Sequence, residues 1–113
     1  MTLVVQKYGG TSVADLERIR HVAGRVARDV RAGERICVVL SAMAGETNKL
    51  VGWVDGLDPA GYDPAEYDVV VSSGEQVTVG LLAIALQSIG IPARSFTGWQ
   101  AGIQTDTAHG KAR

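Results

Sequence analysis

The chain has 113 residues, of which 46% are hydrophobic, and its 11 Lys plus Arg against 12 Asp plus Glu give a formal net charge of −1. This length is enough for one modest core, and therefore for one domain or part of one. The charges form no basic run and no apolar stretch is long, so the sequence favours neither a nucleic-acid surface nor a signal peptide, and no membrane span is expected.

The chain begins with patterns typical of a strand followed by a helix. Residues 3–7 are a short β-branched run that ends at a pair of glycines, which predicts a strand. Between residues 14 and 32 the apolar residues recur at spacings of three and four, which predicts an amphipathic helix. Ser12 or Asp15 is its expected N-terminal cap, and Gly33 is expected to close it.

Residues 36–40 form a continuous apolar run, which predicts a second strand covered on both faces, with Cys37 buried. A strand, helix, strand unit almost always has parallel strands, so both strands are expected to end at one edge of the sheet. Lys7 and Ser41 should then lie near each other, at the edge where open α/β sheets bind ligands. With a single cysteine no intrachain disulfide is possible, which favours a cytoplasmic protein.

The second half of the chain is predicted to contain two helices and one further strand. A short helix is expected near residues 47–54, followed by an exposed acidic connection at residues 55–64. Residues 76–88 are apolar on nearly all sides, which predicts the most buried helix. A strand is expected at residues 93–97. Residues 109–113 carry no capping signal and follow no completed element, so the chain is expected to continue beyond them.

The segment KYGGTSV at residues 7–13 is the strongest chemical motif. Two adjacent glycines allow close approach to a ligand and positive φ, so that successive N–H groups can converge on anionic oxygens. The following helix adds its N-terminal dipole and Lys7 adds a full positive charge, which together suit a phosphate. On residue chemistry alone, a plain glycine turn between strand and helix is an equal alternative.

This segment resembles the opening signature of aspartate kinases. Further similar segments follow in the family's order, namely SAMAGETNKL at residues 41–50, SGEQ at 73–76 and GWQAG at 98–102, and HGKAR at 109–113 is also similar. The resemblance covers essentially the whole chain, and four collinear matches are far more specific than one glycine-rich loop.

The resemblance implies an α/β fold, a three-layer αβα sandwich with a mainly parallel sheet. Residues 1–113 would be the N-terminal part of an amino-acid-kinase catalytic domain, without the nucleotide half and the ACT regulatory domains. The implied substrates are L-aspartate and ATP with Mg²⁺, in a full-length homo-oligomer that binds no nucleic acid and no membrane. No metal site built from protein side chains is implied.

The resemblance also implies roles for individual residues. The ATP phosphates would be bound by Lys7, Tyr8, Gly9 and Gly10, and the catalytic residues would be Lys7 and Ser41. L-Aspartate would be bound by Ser41, Thr47 and Glu75, with the Glu75 carboxylate suited to the substrate's α-ammonium group.

Structural alternatives to these roles remain open. Ser41 and Thr47 could be a turn residue and a helix cap, and Glu75 could be a first-turn acid that complements a helix dipole. His109 is read as solvated surface, and Trp53 and Trp99 as packing or pocket-wall residues.

Two alternatives remain for the function as well. One is a non-catalytic module, derived from the kinase fold, that binds an anion or a partner. The other is another enzyme of the same fold, acting on glutamate, acetylglutamate, carbamate or UMP.

Overall fold

The computed structural model describes residues 2–104, which form one α/β unit. The elements in chain order are β1 (Leu3–Tyr8), a short 3-10 helix (Gly10–Val13), α1 (Leu16–Arg31), β2 (Arg35–Leu40), α2 (Glu46–Leu57) and α3 (Pro64–Ser88). The predicted opening of strand, helix and strand is confirmed, with each boundary within two residues of the expected one.

β1 and β2 form a parallel pair in which Leu3 lies opposite Arg35 and Tyr8 lies opposite Leu40. Both strands therefore end at the same edge, as predicted, and we call this the carboxyl edge of the sheet. The backbone pairing extends one step beyond the strands, because the Ser41 amide donates to the Tyr8 carbonyl at 3.2 Å. A ligand at this edge would meet the two loops that follow β1 and β2.

α1 begins at a side-chain cap and ends at a glycine. The Asp15 carboxylate accepts a hydrogen bond from the Arg18 amide at 2.8 Å, so Asp15 rather than Ser12 is the cap. This bond satisfies one of the N–H groups that the first turn of a helix leaves unpaired. Gly33 follows the helix with a φ of 98°, a conformation that glycine adopts at little cost.

Asp15→Ala is expected to lower the free energy of unfolding by about 1 kcal/mol, because the Arg18 amide loses its acceptor. Asp15→Ser is the matched control, since a serine hydroxyl can accept the same hydrogen bond and should retain most of the stability. Urea unfolding of the three proteins measures the difference. Equal losses in both variants would show that the cap bond contributes nothing.

The core lies between one face of the sheet and the pair α1 and α3. α1 contributes the largest share, as its apolar spacing predicts, α3 contributes Leu82 and Leu86, and the sheet contributes Leu40. The buried members are Val13, Ile19, Val22, Ala23, Val26, Ala27, Leu40, Leu82, Leu86 and Ile91. Each fully buried valine, leucine or isoleucine contributes about 1.5–3 kcal/mol to folding.

The opposite face of the sheet is open within residues 2–104. Leu3, Val5 and Val39 are 58%, 64% and 45% exposed, and Cys37 is exposed too. The predictions that the second strand is covered on both faces and that Cys37 is buried are therefore wrong for this part of the chain. The reason is that α1 and α3 pack in the same core, so alternate strand side chains have no layer to contact.

α3 has 25 residues and begins at Pro64, twelve residues before the helix predicted at 76–88. The Asp63 carboxylate caps it by accepting from the Ala65 amide at 2.9 Å. Pro64 occupies the first turn, where a missing N–H costs little. Asp63 and Pro64 were predicted to belong to an exposed connection at residues 55–64, which in the structure is limited to residues 58–63.

Burial of α3 also differs from the prediction. Val77 and Ile84 are 55% and 63% exposed, so α3 is not the most buried helix. Its length and its mean hydropathy of 1.7 would allow it to cross a membrane, so the expectation that no segment approaches a span is wrong on that measure. Leu82 and Leu86 pack in the core with α1, whereas only 22% of the most apolar stretch of α3 is buried within residues 2–104. One helix that meets this test by length and composition does not by itself indicate a span.

The strand predicted at residues 93–97 does not form within the described part of the chain. Gly90, with a φ of 84°, turns the chain after α3, as expected. The segment beyond it then binds back to the helix end. The Ile91 amide donates to the Leu86 carbonyl at 3.0 Å, and the Gln87 side chain donates to the Ala93 carbonyl at 3.0 Å.

Candidate functional site

Two loops meet at the carboxyl edge: residues 9–15 after β1 and residues 41–45 after β2. The Ser41 amide donates to the Tyr8 carbonyl and the Ala44 amide donates to the Gly10 carbonyl, both at 3.2 Å. The second loop is thus attached to the first near both of its ends. Lys7 directly precedes the residue that binds Ser41, so the predicted proximity of Lys7 and Ser41 is confirmed.

Lys7 and Tyr8 leave β1 on opposite faces. Tyr8 packs against the core, and its hydroxyl donates to the Gln6 side-chain oxygen at 2.9 Å. The Gln6 side-chain amide in turn donates to the Asp29 carboxylate of α1 at 2.7 Å, so the Tyr8 and Gln6 side chains are both held between β1 and α1. Only the Tyr8 backbone is therefore available to a ligand at the edge. Lys7 is exposed on the open face and forms no ion pair within residues 2–104.

Gly9 and Gly10 do not adopt the positive φ that the sequence analysis predicted. Gly9 has a φ of −80°, and Gly10 is not among the positive-φ glycines. Gly10 is needed instead for close approach, because a Cβ there would lie 2.9 Å from the Ala42 carbonyl oxygen. The 3-10 helix starts at Gly10, and the first N–H groups of such a helix have no acceptor within it. Backbone N–H donors are therefore present at the carboxyl edge, but they come from the start of a 3-10 helix and not from glycines with positive φ.

α2 begins at the end of the second loop. Its N-terminal cap position is Gly45, with a φ of 82°, and no side chain caps the helix. The alternative that Thr47 is merely a cap is therefore wrong. Thr47 is exposed on the first turn, where unpaired N–H groups and the helix dipole favour an anionic ligand.

A cleft of about 260 Å³ lies beside this loop, between α2 and α3. It is lined by Met43, Glu46, Leu50, Ser73, Gly74 and Val77. Its volume is below the roughly 300–1,000 Å³ typical of pockets for drug-sized ligands.

Two polar residues of this cleft, Glu46 and Ser73, were not predicted from the sequence to have a functional role. The Glu46 carboxylate accepts from the Lys49 ammonium at 2.7 Å, and that ammonium lies 5.2 Å from the Trp53 ring centroid. The Ser73 hydroxyl donates to the Val70 carbonyl at 2.7 Å. The sequence does contain a signal for the Glu46–Lys49 ion pair, because a glutamate and a lysine three residues apart on a helix lie next to each other.

Glu75 lies within α3, next to the cleft-lining residues Ser73 and Gly74. The alternative that Glu75 is a first-turn acid is wrong, because the helix begins at Pro64. Glu75 is exposed and does not itself line the cleft. Its carboxylate is free of ion pairs within the described residues.

Other predicted residues lie away from this region or beyond the description. Trp53 and Trp99 are 60% and 90% exposed, so neither is a packing residue within residues 2–104, and neither lines the cleft. Residues 98–102 form an exposed turn, in which Gly102 has a φ of 77°. His109 and the segment 109–113 lie outside the described residues.

The carboxyl edge of a parallel sheet, with a lysine and a glycine loop beside an exposed helix N-terminus, is typical of a phosphate-binding α/β enzyme. Residues 2–112 match the amino acid kinase family, and the chain belongs to that family.

The relatives that the chain resembles are aspartate kinases. It is 53% identical over 114 residues to the aspartate kinase of Pseudomonas fluorescens (strain SBW25), covering 100% of this chain and 28% of that protein. It is 48% identical to the aspartokinase of Mycolicibacterium smegmatis, covering 100% of this chain and 27% of the relative. A crystal structure of aspartate kinase from Synechocystis matches with a TM-score of 0.82 and 46% identity, covering 87% of this chain and 16% of that one. The chain thus spans about 28% of the length of the curated relatives.

Proposed function

We propose that this chain is the N-terminal part of the catalytic domain of an aspartate kinase. The nucleotide half and the ACT regulatory domains would follow in the complete, cytoplasmic and homo-oligomeric protein. The reaction would transfer the γ-phosphoryl group of ATP, bound with Mg²⁺, to the side-chain carboxylate of L-aspartate. The product would be 4-phospho-L-aspartate, in the first step toward lysine, threonine and methionine. The observation that carries this proposal is the 53% identity to an aspartate kinase along the whole chain.

Charge is the main obstacle to this reaction, because a carboxylate must approach a polyphosphate. An aspartate oxygen forms a new bond to the γ-phosphorus while the bond from that phosphorus to the ADP oxygen breaks. Lys7 would offset the repulsion, with backbone N–H groups of Gly9 and Gly10 as further donors, and Tyr8 would contribute only its backbone. Most of the catalysis in phosphoryl transfer is positioning and stabilisation of charge on the moving group. A general base is not needed, since the attacking carboxylate is already ionised near neutral pH.

Aspartate would be bound by side chains from the second loop, α2 and α3. A hydroxyl at Ser41, beside the end of β1, suits a contact near the reacting carboxylate. Thr47 offers a second hydroxyl at the N-terminus of α2, where a carboxylate is favoured. Glu75 supplies the negative charge that the substrate's α-ammonium group requires.

Part of the active site would come from residues beyond this chain. In the family an arginine and an aspartate complete the site downstream, so the 113-residue chain by itself is expected to be inactive. The proposal therefore concerns the complete reading frame, and the isolated chain is its natural negative control.

The test is an ATP-consumption assay of the complete reading frame with L-aspartate, glutamate, acetylglutamate, carbamate and UMP as acceptors. We expect turnover with L-aspartate, and the acyl phosphate formed should be trapped by hydroxylamine as a hydroxamate. Turnover with one of the other acceptors alone would assign another enzyme of the same fold. Saturable binding without turnover would support the non-catalytic module instead.

A further inference from the structure

We propose that Gly10 and Gly74 are positioning residues, which enclose Ala42 from two sides and thereby set the distance between the two halves of the aspartate site. The inference rests on the proposed function, because it takes Ser41, Thr47 and Glu75 as substrate ligands. Neither glycine needs to contact aspartate for this role.

The two contacts on Ala42 come from different elements. A Cβ at Gly10 would lie 2.9 Å from the Ala42 carbonyl oxygen, and a Cβ at Gly74 would lie 2.8 Å from the Ala42 Cβ. Separations below 3.0 Å are essentially never observed for a Cβ atom, so a neighbour would have to move. Ala42 is only 5% exposed, and it therefore fills the space between the first loop and α3.

Gly74 is itself buried on the side of α3 that faces the second loop and α2. A Cβ at Gly74 would lie 3.7 Å from the Leu50 side chain, which is an ordinary contact, so the close approach is to Ala42. On the other side, the Ala44 amide binds the Gly10 carbonyl at 3.2 Å. A side chain added at residue 74 would therefore have to separate α3 from the second loop.

The distance between α3 and the second loop matters for the substrate, because the proposed aspartate-binding residues are neighbours of Ala42 and Gly74 in the chain. Ser41 precedes Ala42, and the same loop leads through Gly45 into the helix turn that carries Thr47. Glu75 follows Gly74 on α3. The contact between Ala42 and Gly74 consequently sets the distance between Ser41 and Thr47, which would bind the substrate's carboxylates, and Glu75, which would bind its ammonium group. A misplacement of about 1 Å can cost on the order of 10²-fold in rate.

The main test uses the complete reading frame with three variants, Gly74→Ala, Ala42→Gly and the double variant of these two, and Gly10→Ala is made as a contrast both alone and combined with Ala42→Gly. Gly74→Ala is expected to raise the KM for aspartate about tenfold, while the KM for ATP changes little, because the spacing of the aspartate ligands is lost. The double variant removes the Ala42 methyl that the new methyl would meet, so its KM for aspartate should return close to the value of the unsubstituted protein. Gly10→Ala is the matched contrast, because its new methyl group would meet the backbone oxygen of Ala42. Ala42→Gly leaves that oxygen in place, so it should not restore the KM of Gly10→Ala.

Each outcome decides the matter. An unchanged KM for aspartate in an active Gly74→Ala protein overturns the inference, as does a double variant that is no better than Gly74→Ala. If Gly74→Ala is insoluble, recovery of both solubility and KM in the double variant supports the inference, and equal insolubility overturns it. A complete protein that does not phosphorylate aspartate overturns the proposed function, and this inference with it. A failure confined to the variants leaves the proposed function standing.

Discussion

Lys7→Ala in the complete reading frame is expected to lower kcat by about 10²- to 10³-fold, with less than about a threefold change in the KM for aspartate. Lys7 lies at the end of β1, is exposed, and forms no ion pair within residues 2–104. Its charge is therefore available to stabilise the negative charge that is spread over the oxygens of the transferred phosphoryl group in the transition state. Steady-state kinetics with each substrate varied in turn measures the effect.

Arg35→Ala is the matched control for this substitution. Arg35 is another exposed cation on the same open face of the sheet, at the opposite end of β2. It lies four strand positions from the register of Lys7, which corresponds to roughly 13 Å. Its loss should leave kcat nearly unchanged. Equal losses in both variants would indicate a general effect of charge on the face, and a near-normal kcat in Lys7→Ala would show that Lys7 is structural.

Glu75→Gln is expected to raise the KM for aspartate roughly tenfold or more, because a hydrogen bond to a charged group contributes about 1.5–3 kcal/mol. The amide keeps the shape of the side chain and removes only the negative charge that would pair with the substrate's ammonium group. The kcat value should fall much less, since Glu75 is not proposed to contact the phosphoryl group. Initial rates over a range of aspartate concentrations separate the two parameters.

The control for Glu75 is Glu66→Gln, which makes the same chemical change on the same helix. Glu66 is an exposed acid in the first turn of α3, nine residues away, or roughly 14 Å along the helix axis. Glu66→Gln should leave the KM for aspartate unchanged. An unchanged KM in Glu75→Gln would contradict the assigned role, whatever the control shows.

Local patterns were sufficient for the first half of the fold. The period of α1, its cap at Asp15 and its closing Gly33 are all encoded by neighbouring residues, and the structure has each of them. The parallel pairing of β1 and β2 followed from the general preference for one crossover geometry. The grouping of Lys7 with Ser41 could be predicted for the same reason, because it requires only that both strands end at one edge.

The helix propensity of its residues does not predict the first half of α3. Residues 69–74 include three consecutive valines, two serines and a glycine, all of which have lower intrinsic helix propensity than alanine or leucine. Packing of Gly74 against Ala42 and of Leu82 in the core favours the helix there. The cap at Asp63 followed by Pro64 was a readable start signal, but it was assigned to the connection.

The amino-acid order was therefore enough to establish the βαβ opening and the family resemblance, and it led to the prediction of which residues bind phosphate and aspartate. Tertiary structure alone decided that Gly10 serves close approach rather than positive φ, that Cys37 is exposed, and that Glu75 lies within a long helix. The physical reason is distance along the chain. Capping and helical periodicity depend on residues within one or two turns, whereas the contacts on Ala42 join three segments that only folding brings together.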